Sequence, residues 1–486
     1  MAKTLSELKK EVHVAQIINH GEQLILPEGM GMEDAISLLK RRQRYLEEEI
    51  EINESFNVFP WDGANALNEV LTRKFGWSPA EATPSFFGSN PPRLISIDID
   101  HNKKIQVPFG RFSLPNIEGH VNCSATRSGG RIVFAVEACI LRKDEDVIKS
   151  LFEELREELK VNSIYRGKAF KMRFRDDRGR MLDMPEPKFM DTNDIDESML
   201  VYPAETQAAI ETNLFTPIQR IQDCIANGIP VKRGVLLGGT FGTGKTMAAK
   251  VASKYAVANG LTYLYITRAD ELAQAVEFAK MYCDPACVIF CEDIDRAMKA
   301  ENADRTAEID DILNIIDGVD TKSARIITVL TTNDLTGITP AMLRPGRLDA
   351  VIDVLPPDAQ AAEKLVRLYA GNAVEATEDL TEVGKALDGV IPAVIAEVVK
   401  RAKLAQLRLQ EPNTLVTSIT ASALLEASKS MRSQLDLLYR PAAEPAPTID
   451  ALVKAAVKDV VSHTLEDDYE VHVMNDRIEE MHDRIC

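Results

Sequence analysis

Residues 234–256 read GVLLGGTFGTGKTMAAKVASKYA, an apolar strand, a glycine-rich turn and a helix in unbroken succession. The turn contains Gly239, Thr240, Phe241, Gly242, Thr243, Gly244, Lys245 and Thr246, a full match to G-x-x-x-x-G-K-[ST] with strand before and helix after. Glycines let backbone N–H groups turn inward around phosphate oxygens, and the helix N-terminus adds a favourable dipole. Lys245 reaches the β/γ oxygens and Thr246 supplies a Mg²⁺ ligand. A cradle running from Gly239 to Met247 predicts a nucleotide's phosphates and Mg²⁺ as the bound species.

Outward from this loop, GVLL, TYLYI, CVIFC, RIITVLTT and VIDVL are short apolar strands alternating with helices, the pattern of a parallel α/β sheet. CVIFCEDID places Glu292 and Asp293 directly after an apolar run. Neighbouring strand residues point to opposite faces. One carboxylate can therefore serve the metal and its waters while the other takes a proton from an attacking water, and which does which is left open. At the end of RIITVLTTN, Asn333 offers a neutral group to orient that water or touch the γ-phosphate. Arg344 and Arg347 stand three apart before the last strand. Guanidinium donors suit γ-phosphate charge, and an arginine supplied in trans is worth about 10³ to 10⁵ in rate.

KRGVLLGGTFGTGKT, CVIFCEDIDR, VLTTND and PAMLRPGRLD occur in the order and spacing of the AAA family of ATPases, which the chain resembles over about Thr216 to Ala402. The resemblance implies a P-loop AAA+ parallel sheet at 201–357 followed by a helical lid at 358–439. It assigns Lys245 and Thr246 to Walker A, Glu292 and Asp293 to Walker B, Asn333 to sensor 1, and Arg344 and Arg347 to fingers that enter a neighbouring subunit's site. A homo-oligomeric ring, usually a hexamer, and a protein substrate remodelled by the ATPase cycle follow from the same likeness. The Glu-Asp order reverses the usual pair and is similar to the branch of the mitochondrial Rieske-protein translocase. Thr240 and Phe241 stand where Pro-Pro is usual, at positions that contribute backbone. After TYLYI the chain reads TRADELAQAVEFAK, without the aromatic-hydrophobic-Gly pore loop of threading members. Gripping would then come from another loop, or the ring would move a folded partner.

The first 200 residues read as a separate α+β partner-recognition domain. Ile36, Leu39, Leu46 and Ile50 recur near helical spacing from Met32 to Glu54, and a second helix is expected from Ala64 to Phe75. LISIDID, KIQVPF, RIVFAVEACIL and KAFKMRF follow as strands. His101 and His120 are expected in loops as ordinary surface residues. RPAAEPAPT, within 440–448, reads as a stiff linker and 449–486 as an acidic, partly helical tail.

The chain has 486 residues, with 57 Lys and Arg against 75 Asp and Glu, a net charge of −18 that repels phosphate backbones. Nucleic acid is disfavoured as a partner, although a DNA-associated motor or a weakly hydrolysing scaffold would carry the same nucleotide motifs. The start, MAKTLSELKK, has no apolar core of a leader, and no run approaches the about 18 apolar residues of a membrane span. A cytoplasmic protein is the expectation. Of seven cysteines, Cys283, Cys287 and Cys291 recur every four residues. A strand would hold Cys287 and Cys291 about 13 Å apart, so inert thiols are expected rather than metal ligands.

Overall fold

A computed structural model describes residues 18–20, 23–25, 30–76, 78–86, 88–294, 324–335, 347–411, 415–416 and 418–438. Arg344, the 440–448 linker and the 449–486 tail lie outside these residues. Two compact units divide the chain: Met1–Leu368 with Asp388–Ile395, and Tyr369–Leu387 with Ala396–Cys486.

The first unit contains two principal sheets. The nucleotide sheet has seven strands in the spatial order Lys188–Phe189, Ala169–Lys171, Thr262–Ile266, Cys287–Cys291, Ile326–Thr332, Arg233–Gly238 and Ala350–Asp353. Only the Lys188–Phe189 edge is antiparallel to its neighbour; the other pairings are parallel. The central strands Cys287–Cys291 and Ile326–Thr332 are buried at every position, as continuous apolar runs in a sheet covered on both faces must be. All five strands expected from the motifs are present. The chain leaves the Arg233–Gly238 strand and returns to the sheet three places away at Thr262–Ile266, so the strand order reverses beside the glycine-rich turn. Ligands of open α/β sheets bind at such a switch point, outside the carboxyl ends of the strands.

The second sheet is antiparallel, in the order Glu49–Phe56, Arg131–Leu141, Gly119–Ser128, Arg111–Ser113 and Ala80–Glu81. Helices Pro60–Phe75 and Glu145–Val161 accompany it. Ile148, Leu151, Phe152, Leu155 and Leu159 form the buried stripe of the latter, at the i, i+3, i+4, i+7 spacing of an amphipathic helix. Gly63 allows the first helix to lie directly on the sheet: a Cβ there would stand 2.1 Å from the Phe134 ring.

Three expectations are corrected here. The helix from Met32 stops at Leu46, and Glu49–Phe56 is a strand paired with Phe134–Leu141. Its sequence, EIEINESF, alternates with period two, and the ladder overrides the helical spacing that includes Ile50. His120 lies in the Gly119–Ser128 strand, not in a loop. The boundary at residue 200 does not follow the sheet, because Ala169–Lys171 and Lys188–Phe189, placed by sequence in the N-terminal domain, extend the nucleotide sheet.

In the second unit, helices Thr381–Ala386 and Ala421–Leu438 bury Val383, Leu424 and Met431. The Glu378 carboxylate accepts the N–H of Ala421 at 2.7 Å, capping the last helix. Helices Ala359–Ala370 and Pro392–Leu407 each contribute residues to both units. Among the described residues no helix is long and apolar enough to cross a membrane.

Candidate functional site

The Arg233–Gly238 strand ends in a turn that only glycine suits. Gly239 has φ +143° and Gly244 φ +104°, backbone regions that side chains rarely enter. Space closes both positions as well. A Cβ on Gly239 would lie 2.5 Å from the Val354 carbonyl, and one on Gly244 3.1 Å from the Tyr202 ring. Thr243 is buried and its hydroxyl donates to the Thr240 carbonyl at 3.0 Å, tying the turn across itself. The Phe241 side chain is 67% exposed. Helix Lys245–Ala258 then starts with Gly244 as its N-cap, and the Met247 N–H donates to the Gly244 carbonyl at 2.9 Å.

Lys245 is buried. Its Nζ donates to the carbonyls of Gly239 at 2.6 Å and Thr240 at 2.9 Å, and to Asn333 Oδ1 at 3.0 Å. Asn333 Nδ2 donates in turn to Asp293 Oδ1 at 3.1 Å. The orientation of the Asn333 amide follows from its neighbours: an ammonium can only donate and a carboxylate only accept. Three strands thereby meet through side chains: Lys245 from the turn after Arg233–Gly238, Asn333 from the end of Ile326–Thr332, and Asp293 from the end of Cys287–Cys291.

The two adjacent acids separate. Thr246 Oγ1 donates to Glu292 Oε1 at 2.6 Å, while Asp293 faces Asn333. Glu292 still follows the ladder, its N–H donating to the Ile266 carbonyl at 3.1 Å. Asp293 then turns to φ +47°, and its N–H goes to Thr331 Oγ1 at 2.9 Å instead of to a strand carbonyl. Thr246 and Glu292 form an all-oxygen donor pair of the kind that Mg²⁺ takes.

Arg347 lies at the other end of the P-loop strand. Its carbonyl crowds the Cα of Gly234, where a Cβ would come within 1.9 Å, and the Gly234 N–H donates to Asp349 Oδ2 at 2.8 Å. Gly234 and Gly238 are four strand residues apart, about 13 Å. The sequence-predicted residues Lys245, Thr246, Glu292, Asp293 and Asn333 are therefore brought together, and the Arg347 backbone is not.

Sequence reasoning missed Tyr202, Thr331 and Tyr265. Tyr202 is buried, with its hydroxyl donating to the Gly244 carbonyl at 2.8 Å. Burial pushes its phenol well above the ordinary tyrosine range, so it remains a neutral donor. Tyr265 stacks on Phe290 at 6.1 Å between ring centroids, and burial followed by the Glu292 carboxylate raises its phenol too. The signal for Thr331 was available in the pair of threonines that ends the strand IITVLTT. The segment after Thr262–Ile266 forms a short turn and helix Leu272–Ala279. In it the buried Glu271 Oε1 accepts the N–H groups of Phe174 at 3.1 Å and Arg175 at 2.8 Å. Cys287 and Cys291 are buried in their strand, and burial pushes both thiols up, which keeps them protonated and unreactive.

Residues 235–355 match the family model described as ATPase family associated with various cellular activities (AAA). The ATP-dependent zinc metalloprotease FtsH of Mycobacterium tuberculosis (strain CDC 1551 / Oshkosh) is 29% identical over 252 residues, 48% of this chain and 31% of that protein. The 26S proteasome regulatory subunit 10B of Dictyostelium discoideum is 29% identical over 224 residues, 43% of this chain and 57% of the subunit. This chain thus spans less than a third of the FtsH protein and somewhat over half of the proteasome subunit. With the P-loop, the acid pair and the strand-end asparagine assembled at one switch point, residues 235–355 carry an ATPase domain of the AAA type, whose nucleotide is ATP and whose metal is Mg²⁺.

Proposed function

We propose that this protein hydrolyses ATP at sites shared between copies in a homo-oligomeric ring, a hexamer as is usual for AAA ATPases, and that the cycle remodels, unfolds or translocates a protein partner. The observation that carries this reading is the chain Lys245–Asn333–Asp293, with the Thr246–Glu292 pair beside it. Backbone N–H groups of the turn at 239–246 and the Lys245 ammonium bind the triphosphate. Thr246 and Glu292 would hold Mg²⁺, which would supply charge neutralisation to the triphosphate. Asp293 takes the proton of the attacking water. Asn333 holds Oδ1 of that carboxylate within reach of the P-loop lysine's network. Among the two acids, Asp293 is thus the base and Glu292 the metal ligand.

Arg347, and Arg344 from outside the described residues, serve a neighbouring copy's γ-phosphate; the distance between the Arg347 backbone and its own P-loop supports that reading. The antiparallel N-terminal sheet with its two helices is the partner-recognition region. The turn and helix at Ala269–Ala279 stand where threading relatives carry a pore loop, and Glu271 ties that turn to Phe174 and Arg175. This favours action on a partner gripped elsewhere.

Turnover is measured with excess Mg·ATP for wild type, Lys245→Ala and Arg347→Ala, singly and mixed under subunit exchange. Wild type should turn over at least about a hundredfold faster than Lys245→Ala, the scale of losing one preorganised electrostatic donor. Mixing the two inactive variants should restore part of the activity, because their defects then fall in different sites. A wild-type rate no higher than that of Lys245→Ala overturns the enzyme reading, and absence of complementation overturns shared sites.

A further inference from the structure

Asp293 is one of three described non-glycine residues with positive φ, and of the three it alone sits in the candidate site. An L-residue pays for that conformation unless its surroundings hold it, although Asp tolerates it better than most. Two side chains do the holding. Asn333 Nδ2 takes its carboxylate, and Thr331 Oγ1 accepts its N–H at 2.9 Å.

The place of Thr331 in the sheet explains why a hydroxyl is needed. Cys291 is the last residue of its strand in register with Ile326–Thr332, opposite Leu330. One residue on, the chain departs from the ladder, and the Asp293 N–H would be left without a strand carbonyl. Thr331 is itself in register with Leu237 of the P-loop strand and is buried. A main-chain donor is therefore satisfied by a side chain fixed between the P-loop strand and the acid-bearing strand.

The geometry points to Thr331 as a positioning residue of the hydrolytic centre, its hydroxyl fixing the left-handed turn that aims the Asp293 carboxylate at the attacking water. This rests on the reading of Asp293 as the base. Thr331 acts through the backbone of Asp293. An aspartate is one methylene shorter than a glutamate, so its reach depends more on where its backbone is held. Valine in place of threonine keeps the shape and removes the acceptor, whereas serine keeps the acceptor.

The test compares Thr331→Val and Thr331→Ser with wild type in steady-state hydrolysis, nucleotide affinity and hydrogen exchange of the peptide spanning 288–294. Thr331→Val should lower kcat about tenfold or more, change nucleotide affinity less than about twofold, and speed exchange at Asp293. Thr331→Ser should restore kcat to within about threefold. A Thr331→Val protein with wild-type kcat overturns the proposal, as does loss of kcat and affinity together without rescue by serine. Exchange reads the hydrogen bond independently of turnover: unchanged protection in Thr331→Val overturns the positioning role even if wild type proves inactive. Faster exchange in an inactive protein would instead place the failure in the assignment of the base.

Discussion

At the nucleotide end of the sheet, Lys245, Asn333 and Asp293 form a chain whose members come from three strand ends. A second buried polar cluster, around Asp62, is built on another plan. Asp62 is fully buried on the first turn of helix Pro60–Phe75. Its carboxylate accepts from Ser163 Oγ at 2.6 Å, the Ile164 N–H at 2.9 Å and the Tyr282 hydroxyl at 3.1 Å, while that hydroxyl accepts the Phe59 N–H at 2.9 Å. Tyr282 follows helix Leu272–Ala279 of the nucleotide fold, so the cluster joins the antiparallel sheet's first helix to the nucleotide sheet's own helical layer. Phe59, Tyr165, Phe278 and Tyr282 pack around it with ring centroids 5.2–6.3 Å apart. The first network aims its groups at a switch point where a ligand binds; the second turns every partner inward. One is built for chemistry and the other for attachment.

The sharpest way to break that contrast is to neutralise each acid. Asp293→Asn keeps size and loses the proton acceptor, so kcat should fall about 10²- to 10⁴-fold, the scale of losing general base catalysis, with nucleotide affinity little changed. Steady-state rates and equilibrium nucleotide titration check it. An Asp293→Asn protein that hydrolyses normally would transfer the base to Glu292 and erase the distinction between the two carboxylates.

Asp62→Ala should leave the site's chemistry alone and act on stability. The Ile164 N–H and the Ser163 and Tyr282 hydroxyls lose a common acceptor, which costs about 2–4 kcal/mol for buried donors of this kind. The loss should also depend on pH. Burial pushes the Asp62 carboxyl from an ordinary 3.8 up to about 6, against the opposing hydrogen bonds of Ser163, Ile164 and Tyr282 and the charge of Arg166. A folded-state pKa raised above the unfolded value means the native state binds the proton more tightly. The contribution is therefore fully present below about pH 4 and lost as pH rises to about 6, a change of up to ~3 kcal/mol. Denaturant titrations at pH 4.5, 5.5 and 7 should show the difference between wild type and Asp62→Ala growing toward acid. A difference independent of pH would remove Asp62 as a titrating member of the attachment.

The same contrast explains what could be read from the sequence. The P-loop, the acid pair and Asn333 were legible because phosphate chemistry fixes residue types at short spacing, and the parallel sheet was legible because strands buried on both faces appear as runs such as CVIFC. The division of labour between Glu292 and Asp293 was not, since it depends on a backbone turn held by Thr331 from a strand 38 residues away. Asp62 gave no signal either: its partners Ser163 and Tyr282 lie 101 and 220 residues along the chain. The helix expected through Ile50 failed where cross-strand pairing with Arg131–Leu141 outweighed an accidental helical spacing. Residues 169–171 read as a strand of the N-terminal domain, because a three-residue strand carries no mark of which neighbour it will join.

Tyr202 belongs to neither network and offers the finest test of the contrast, because it attaches the chain before the P-loop strand directly to the nucleotide cradle. Its hydroxyl shares the Gly244 carbonyl with the N–H groups of Met247 and Ala248, at 2.9 and 3.0 Å. Tyr202→Phe keeps the ring against Gly244 and removes one of three hydrogen bonds to that carbonyl. A single neutral bond is worth about 0.5–1.5 kcal/mol, so nucleotide affinity should weaken about twofold to tenfold. Stability should change little, since the ring stays packed. Equilibrium nucleotide titration and a thermal melt of the same sample separate these effects. Weakened affinity with an unchanged melt would make Tyr202 part of the cradle, whereas unchanged affinity with a lowered melt would place it with Asp62 among the attachments and leave the glycine turn to hold its shape alone.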